Sequence, residues 1–239
     1  MTLFDSFLLV GLPYVAIVTA VVVGAWRWRR RRFELTARSS QFLEDRQLLW
    51  GSGPWHMGIS VVLLGHLAAL LFPAPWAAAM TSRTALLAVS VIGQAAGWLA
   101  LVGLAVLLAR RLTNARVQAV TLTADIVVVI VLLAQVAFGL AVAYQLRHGA
   151  AWATGTAVPY VWSLLRLQPD AALVAEMPAI LKLHIAGGWL LVLALPFTRL
   201  MHLLALPVGY LWRAPQRVVW STTQRRTHAV ASSSRARWV

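Results

Sequence analysis

Four of the six histidines of this 239-residue chain lie inside apolar runs. His56 and His66 are ten residues apart, and His184 and His202 are eighteen apart. An ionisable side chain at membrane depth is costly, so it normally faces the interior and has a partner there. Neutral imidazole also offers a nitrogen lone pair to a metal. The chain has no cysteine, which excludes disulfides, thiolate-held iron–sulfur clusters and covalently attached c-type haem within it. Any metal must therefore take His, carboxylate or carbonyl ligands. A structural zinc gathers its ligands tetrahedrally around one point. Imidazoles facing each other from two helices suit the iron of a non-covalent b-type haem instead.

The elements that must position these residues are membrane helices. Apolar residues make up 60% of the chain and charged residues 12%, with a mean hydropathy of +0.75. Soluble domains run near 45–50% apolar and about 25% charged. Five apolar runs are each close to the roughly twenty residues that a spanning helix needs. They are expected at Phe7–Trp26, Leu49–Phe72, Thr84–Ala109, Leu122–Tyr144 and Ala179–Leu206. The predicted fold is an all-α integral membrane bundle of five transmembrane helices. Residues 1–212 form its transmembrane domain and residues 213–239 a basic cytoplasmic tail.

A net charge of +14 raises the question of nucleic acid, but the basic residues cluster between the apolar runs. All but Arg83, Arg147, Arg166 and Lys182 of the 21 Lys and Arg fall on one side of the predicted topology. The positive-inside rule then puts the N-terminus outside and the C-terminus in the cytoplasm. Asp5 precedes the first run and Arg27, Arg29, Arg30, Arg31 and Arg32 follow it. A signal peptide has the opposite polarity, so this run is expected to stay as a helix. The chain is accordingly placed, multi-pass, in a bacterial or archaeal cytoplasmic (inner) membrane, with the lipid bilayer as a partner and no nucleic acid.

Smaller features have plain explanations. Gly93, Gly97 and Gly103 thin one side of the third helix for close packing. Asp125, in the first turn of the fourth, complements the helix dipole. Lys182 is expected to snorkel to the outer interface. The segment from Tyr160 to Leu167 is expected to lie on the interface as a short amphipathic helix. His148 and His228 are read as solvent-facing.

With this topology the second helix runs outward and the fifth inward. His56 then matches His202 in depth near the inner face, and His66 matches His184 near the outer face. At about 1.5 Å per residue the two spacings are roughly 15 Å and 27 Å. Eighteen residues is close to five whole turns, whereas ten leaves His56 and His66 about 80° apart around their helix. Two haems fit this arrangement without being required by it. A proton-coupled transporter is the rival reading, although such proteins more often show carboxylates and broken helices at the midplane.

Several stretches carry a family resemblance. They are Ala37-Arg38-Ser39-Ser40-Gln41, the segment from His56 to Pro73 with Gly65-His66, and Leu181-Lys182-Leu183-His184 through Pro196-Phe197-Thr198-Arg199-Leu200-Met201-His202, ending at Leu211. Arg110-Arg111-Leu112 and Ala124-Asp125-Ile126 add to them. Over roughly residues 5–215 the chain resembles the gamma subunit of membrane-bound respiratory nitrate reductase, a five-helix di-haem cytochrome b. The resemblance implies two haem b groups, the inner one held by His56 and His202 and the outer one by His66 and His184. It implies quinol oxidation beside the outer haem, as part of a quinol:nitrate oxidoreductase. Electrons would pass through the inner haem to an iron–sulfur (beta) subunit and then to a molybdenum (alpha) subunit. Arg111 and Arg199 become candidates for the haem propionates. The family's quinol-binding lysine has no clear match, and Arg83 stands nearby; it can hold a quinol oxygen but cannot accept a proton. Two alternatives remain: a similar haem-b subunit of another respiratory oxidoreductase, or a haem-free transporter or assembly protein.

Overall fold

The computed structural model describes residues 2–30 and 46–203. The arginines at 31, 32 and 38, the Ala37–Gln41 stretch and the expected tail at 213–239 lie outside the described residues. Among the described residues every regular element is helical. Five helices are long and apolar enough to cross a membrane: Leu3–Arg30, Arg46–Leu71, Arg83–Thr113, Thr123–Gln145 and Ala179–Phe197.

The first span starts at α1 (Leu3–Ser6), four residues earlier than expected, because Thr2 and Asp5 cap each other. The Asp5 amide donates to Thr2 Oγ1 at 3.1 Å and the Thr2 amide to Asp5 Oδ2 at 3.3 Å, satisfying two orphan donors of the first turn. A π-helical turn at Phe7–Gly11 leads into α2 (Leu12–Arg30). Arg27, Arg29 and Arg30 close its last turn, where cations complement the helix dipole.

The second span, α3 (Arg46–Leu71), continues through Pro54 and stops before Pro73, which opens the short α4 (Pro73–Ala79). Ser82 then caps α5 (Arg83–Thr113), accepting from the Ala85 amide. A single turn, α6 (Ala115–Gln118), turns the chain into α7 (Thr123–Gln145). The connection from α7 to the last span folds as α8 (Gly149–Trp152), α9 (Ala157–Leu165) and α10 (Ala172–Ala175). The last span is α11 (Ala179–Ala194).

The spans pack in the order α3, α5, α7, α11, α2. Backbones approach closest between α3 and α5. A Cβ at Gly58 would sit 2.4 Å from Ala96 O, and one at Gly103 would sit 2.5 Å from the Trp55 amide nitrogen. The expected small-residue packing therefore holds at Gly103. Gly97 faces Leu140 of α7 instead, and Gly93 faces open space, so these glycines do not form one continuous thin side.

Two expectations are corrected. The segment from Tyr160 to Leu167 does not lie on a surface along its length: Tyr160 and Leu164 are fully buried in a cluster with Leu9, Ala171 and Val174, backed by Tyr14, Ile185 and Trp189. Its polar atoms have partners inside. Tyr160 Oη donates to Leu9 O at 2.7 Å, Tyr14 Oη to Leu164 O at 3.2 Å and Trp162 Nε1 to Leu70 O at 3.0 Å. Burial pushes the Tyr160 hydroxyl up to about 12, so it stays a donor at any physiological pH.

The fifth helix also ends early. The α-helix stops at Ala194, and Leu195–Phe197 and Arg199–Leu203 form two 3₁₀ turns joined at an extended Thr198. Pro196 is the cause, since it has no amide proton and its ring clashes with the preceding turn. Its carbonyl accepts from Arg27 Nη1 of α2.

Candidate intramembrane histidine site

The four histidines meet in the two pairs that their depth implies. The His56 and His202 rings lie 6.3 Å apart, centre to centre, with planes inclined at 66°. The His66 and His184 rings lie 6.4 Å apart at 51°. With about 2 Å from metal to imidazole nitrogen and about 1.1 Å from nitrogen to ring centre, two rings on opposite sides of one metal stand roughly 6 Å apart. Both pairs have that separation. Among the described residues no three of His, Cys, Asp and Glu gather as a metal cluster; the histidines come in twos.

All four rings are oriented by the backbone in the same sense. His56 Nδ1 lies 2.8 Å from Ser52 O, and His66 Nδ1 lies 2.8 Å from Val62 O, one turn back on α3. His202 Nδ1 lies 2.6 Å from Arg199 O. His184 Nδ1 reaches across to Gln135 O on α7, at 3.2 Å. A carbonyl can only accept, so each Nδ1 carries the proton and donates it. That tautomer puts a lone pair on each Nε2, as in metal sites where the other ring nitrogen is held by a carbonyl.

Around the His66–His184 pair, α7 supplies two groups that sequence reasoning missed. Gly139 makes room for the His184 ring, because a Cβ there would lie 2.9 Å from His184 Cε1. Gln135 Nε2 donates to His184 O at 2.9 Å, while Gln135 Oε1 is buried with no hydrogen-bond partner among the described residues. The signal for Gln135 was present in the sequence: it is an amide in the middle of an apolar span.

Charge gathers at the other end. Asp125, buried at the start of α7, accepts from the Leu122 amide at 3.2 Å and pairs with Arg111 Nη1 at 3.4 Å and Arg199 Nε at 2.6 Å. It caps the helix, as a dipole partner would, and also links α5, α7 and the 3₁₀ turn that follows the last span. The two propionate candidates thus meet around one carboxylate. At the opposite end Lys182 Nζ pairs with Asp5 Oδ1 at 3.4 Å, binding the last span to the first. Arg83, the first residue of α5, is exposed. Among the described residues no hydrogen bond or ion pair joins it to His66 or His184.

Fold and site together define a class: a multi-pass helical membrane protein whose histidines meet in two pairs between distant segments. Comparison with known proteins places it more closely. Residues 5–221 match the family model for the nitrate reductase gamma subunit. The chain is 30% identical over 206 residues to the nitrate reductase gamma chain of Bacillus subtilis, covering 85% of this chain and 92% of that one. It is 32% identical over 210 residues to the respiratory nitrate reductase 2 gamma chain of Escherichia coli, covering 85% and 92%. It is also 37% identical over 211 residues to the nitrate reductase-like protein NarX of Mycobacterium tuberculosis, and there it spans only 32% of the relative's length. The chain belongs to the nitrate reductase gamma subunit family.

Proposed function

We propose that this chain is a di-haem cytochrome b that anchors a nitrate reductase in the inner membrane, oxidises quinol near the outer face and delivers the electrons to partner subunits. One observation carries the reading. Two imidazole pairs stand at the separation of axial ligands to a single metal, with all four Nδ1 atoms tied to carbonyls. The gamma-chain relatives support the assignment to nitrate reduction.

A bound haem b supplies an iron that carries one electron at a time. His56 and His202 would hold the inner haem, and His66 and His184 the outer. By the positive-inside rule the His56–His202 end would lie at the cytoplasmic face, with the N-terminus outside. Arg111 and Arg199, at that same end, would hold propionates, which suit the forked guanidinium. Arg83 would donate to a quinol oxygen at the outer face. It cannot take the proton, so the two protons pass to the outer water while two electrons move inward. An iron–sulfur (beta) subunit would receive them and pass them to a molybdenum (alpha) subunit that reduces nitrate.

Single His→Ala replacements in the full chain test the pairing. His66→Ala and His184→Ala should each remove the outer haem and stop quinol oxidation. His56→Ala and His202→Ala should each remove the inner haem, leaving quinol able to reduce the outer one while delivery onward ceases. Loss of the same single haem from His56→Ala and His66→Ala would overturn it.

A further inference from the structure

His202 is the one proposed ligand that no α-helix holds. The α-helix of the last span ends at Ala194, and two 3₁₀ turns with an extended residue between them follow. Short 3₁₀ pieces have poorer hydrogen-bond geometry than an α-helix and position a side chain less firmly. Yet the His202 ring stands at nearly the same separation from its partner as the helix-borne His184 does.

The residue that aims the His202 ring is Arg199, whose carbonyl accepts from Nδ1 at 2.6 Å. Arg199 is fixed in turn by its guanidinium, with Nε 2.6 Å from Asp125 Oδ1. Asp125 is itself held to α7 by the Leu122 amide and to α5 by Arg111 Nη1. Asp125 is buried, and a buried charge-assisted contact is short, directional and costly to break.

We propose that Asp125 is a positioning residue for the inner haem, holding His202 in place through Arg199 where the helix has ended. This rests on the di-haem reading. The chain Asp125 carboxylate, Arg199 guanidinium, Arg199 carbonyl, His202 Nδ1 does for the broken segment what the regular helix does for His56 and His66. The same carboxylate also holds the guanidinium of Arg111, the other propionate candidate.

The test is the low-spin ferric spectrum and the midpoint potential of each haem in the full chain in membranes. His56→Ala and His66→Ala variants assign the inner and outer signals. Asp125→Asn keeps the size and one acceptor oxygen but removes the charge. It is expected to move or abolish the inner signal, with haem content falling toward one per chain, and to leave the outer signal unchanged. Asp125→Glu is expected to restore most of the inner signal. If Asp125→Asn does not accumulate, Arg199→Lys keeps the charge and should shift the inner signal alone. An inner haem unchanged in Asp125→Asn, or in Arg199→Lys where that variant is used, overturns the proposal, as does an equal change in both haems. A wild-type chain without haem would instead overturn the di-haem reading beneath it.

Discussion

At the scale of single residues, His184 depends on a neighbouring helix for both its space and its orientation. The two dependences separate by mutation. Gly139→Val adds bulk where even a Cβ would lie 2.9 Å from the ring, so it should displace His184 and remove the outer haem alone. Gln135→Leu removes the donor to His184 O and also the unpartnered oxygen. The Gln135 backbone carbonyl that orients the ring remains. A lost hydrogen bond costs about 1 kcal/mol, and deleting a buried unsatisfied acceptor offsets a similar amount. This variant should keep both haems, with stability within about 1 kcal/mol of wild type. Counting haem in the two variants decides it; loss of the outer haem from Gln135→Leu with retention in Gly139→Val would reverse the assignment. The four paired histidines were legible because an ionisable side chain at membrane depth is costly and calls for a partner. Gly139 was not, since the need for a missing side chain appears only once α7 and α11 are packed.

At the scale of elements, sequence reading succeeded where hydropathy and caps act locally and failed where distant segments interact. The first four spans were found to within four residues at each end, and the fifth at its start but not its end. The break at Pro196 was overlooked because α3 carries Pro54 without ending, and a proline in a membrane helix can be accommodated by its surroundings. The burial of α9 was also hidden: an amphipathic pattern reports an apolar face, not whether lipid or protein covers it. The end of α9 gives a local test. Leu167 has φ 59° and is exposed, a left-handed conformation that costs an L-residue roughly 1–2 kcal/mol. The turn around it closes with the Gln168 amide donating to Ser163 O at 2.9 Å. Leu167→Gly should raise stability by up to about 1 kcal/mol after glycine's own entropy cost, read as an upward shift of the thermal unfolding midpoint. A fall in that midpoint would show that Leu167 contributes packing instead.

At the scale of the whole molecule, the two histidines of α3 meet His184 of α11 and His202 of the 3₁₀ turn beyond it, while α5 and α7 pack between α3 and α11 in the sequence of contacts. The charge network at one end, around Asp125, and the Lys182–Asp5 pair at the other join spans far apart in sequence. Neither network could be read from local pattern. The orientation proposed from the basic loops has a direct check. The chain has no cysteine, so a single one introduced at Ala150, in the outer connection, should react with a membrane-impermeant thiol reagent added from outside. One at Arg116, in the short turn between α5 and α7, should react only after the membrane is opened. The opposite pattern would invert the topology and put quinol oxidation on the wrong side.

The central claim is that the two imidazole pairs each hold a haem. Its most direct measurement is a dithionite-reduced minus oxidised spectrum of the purified full chain, with haem counted per polypeptide. The expected result is a b-type spectrum with two non-covalent haems. One haem would leave one of the two pairs without its group, and none, in a chain produced with ample haem, would contradict the cytochrome reading altogether.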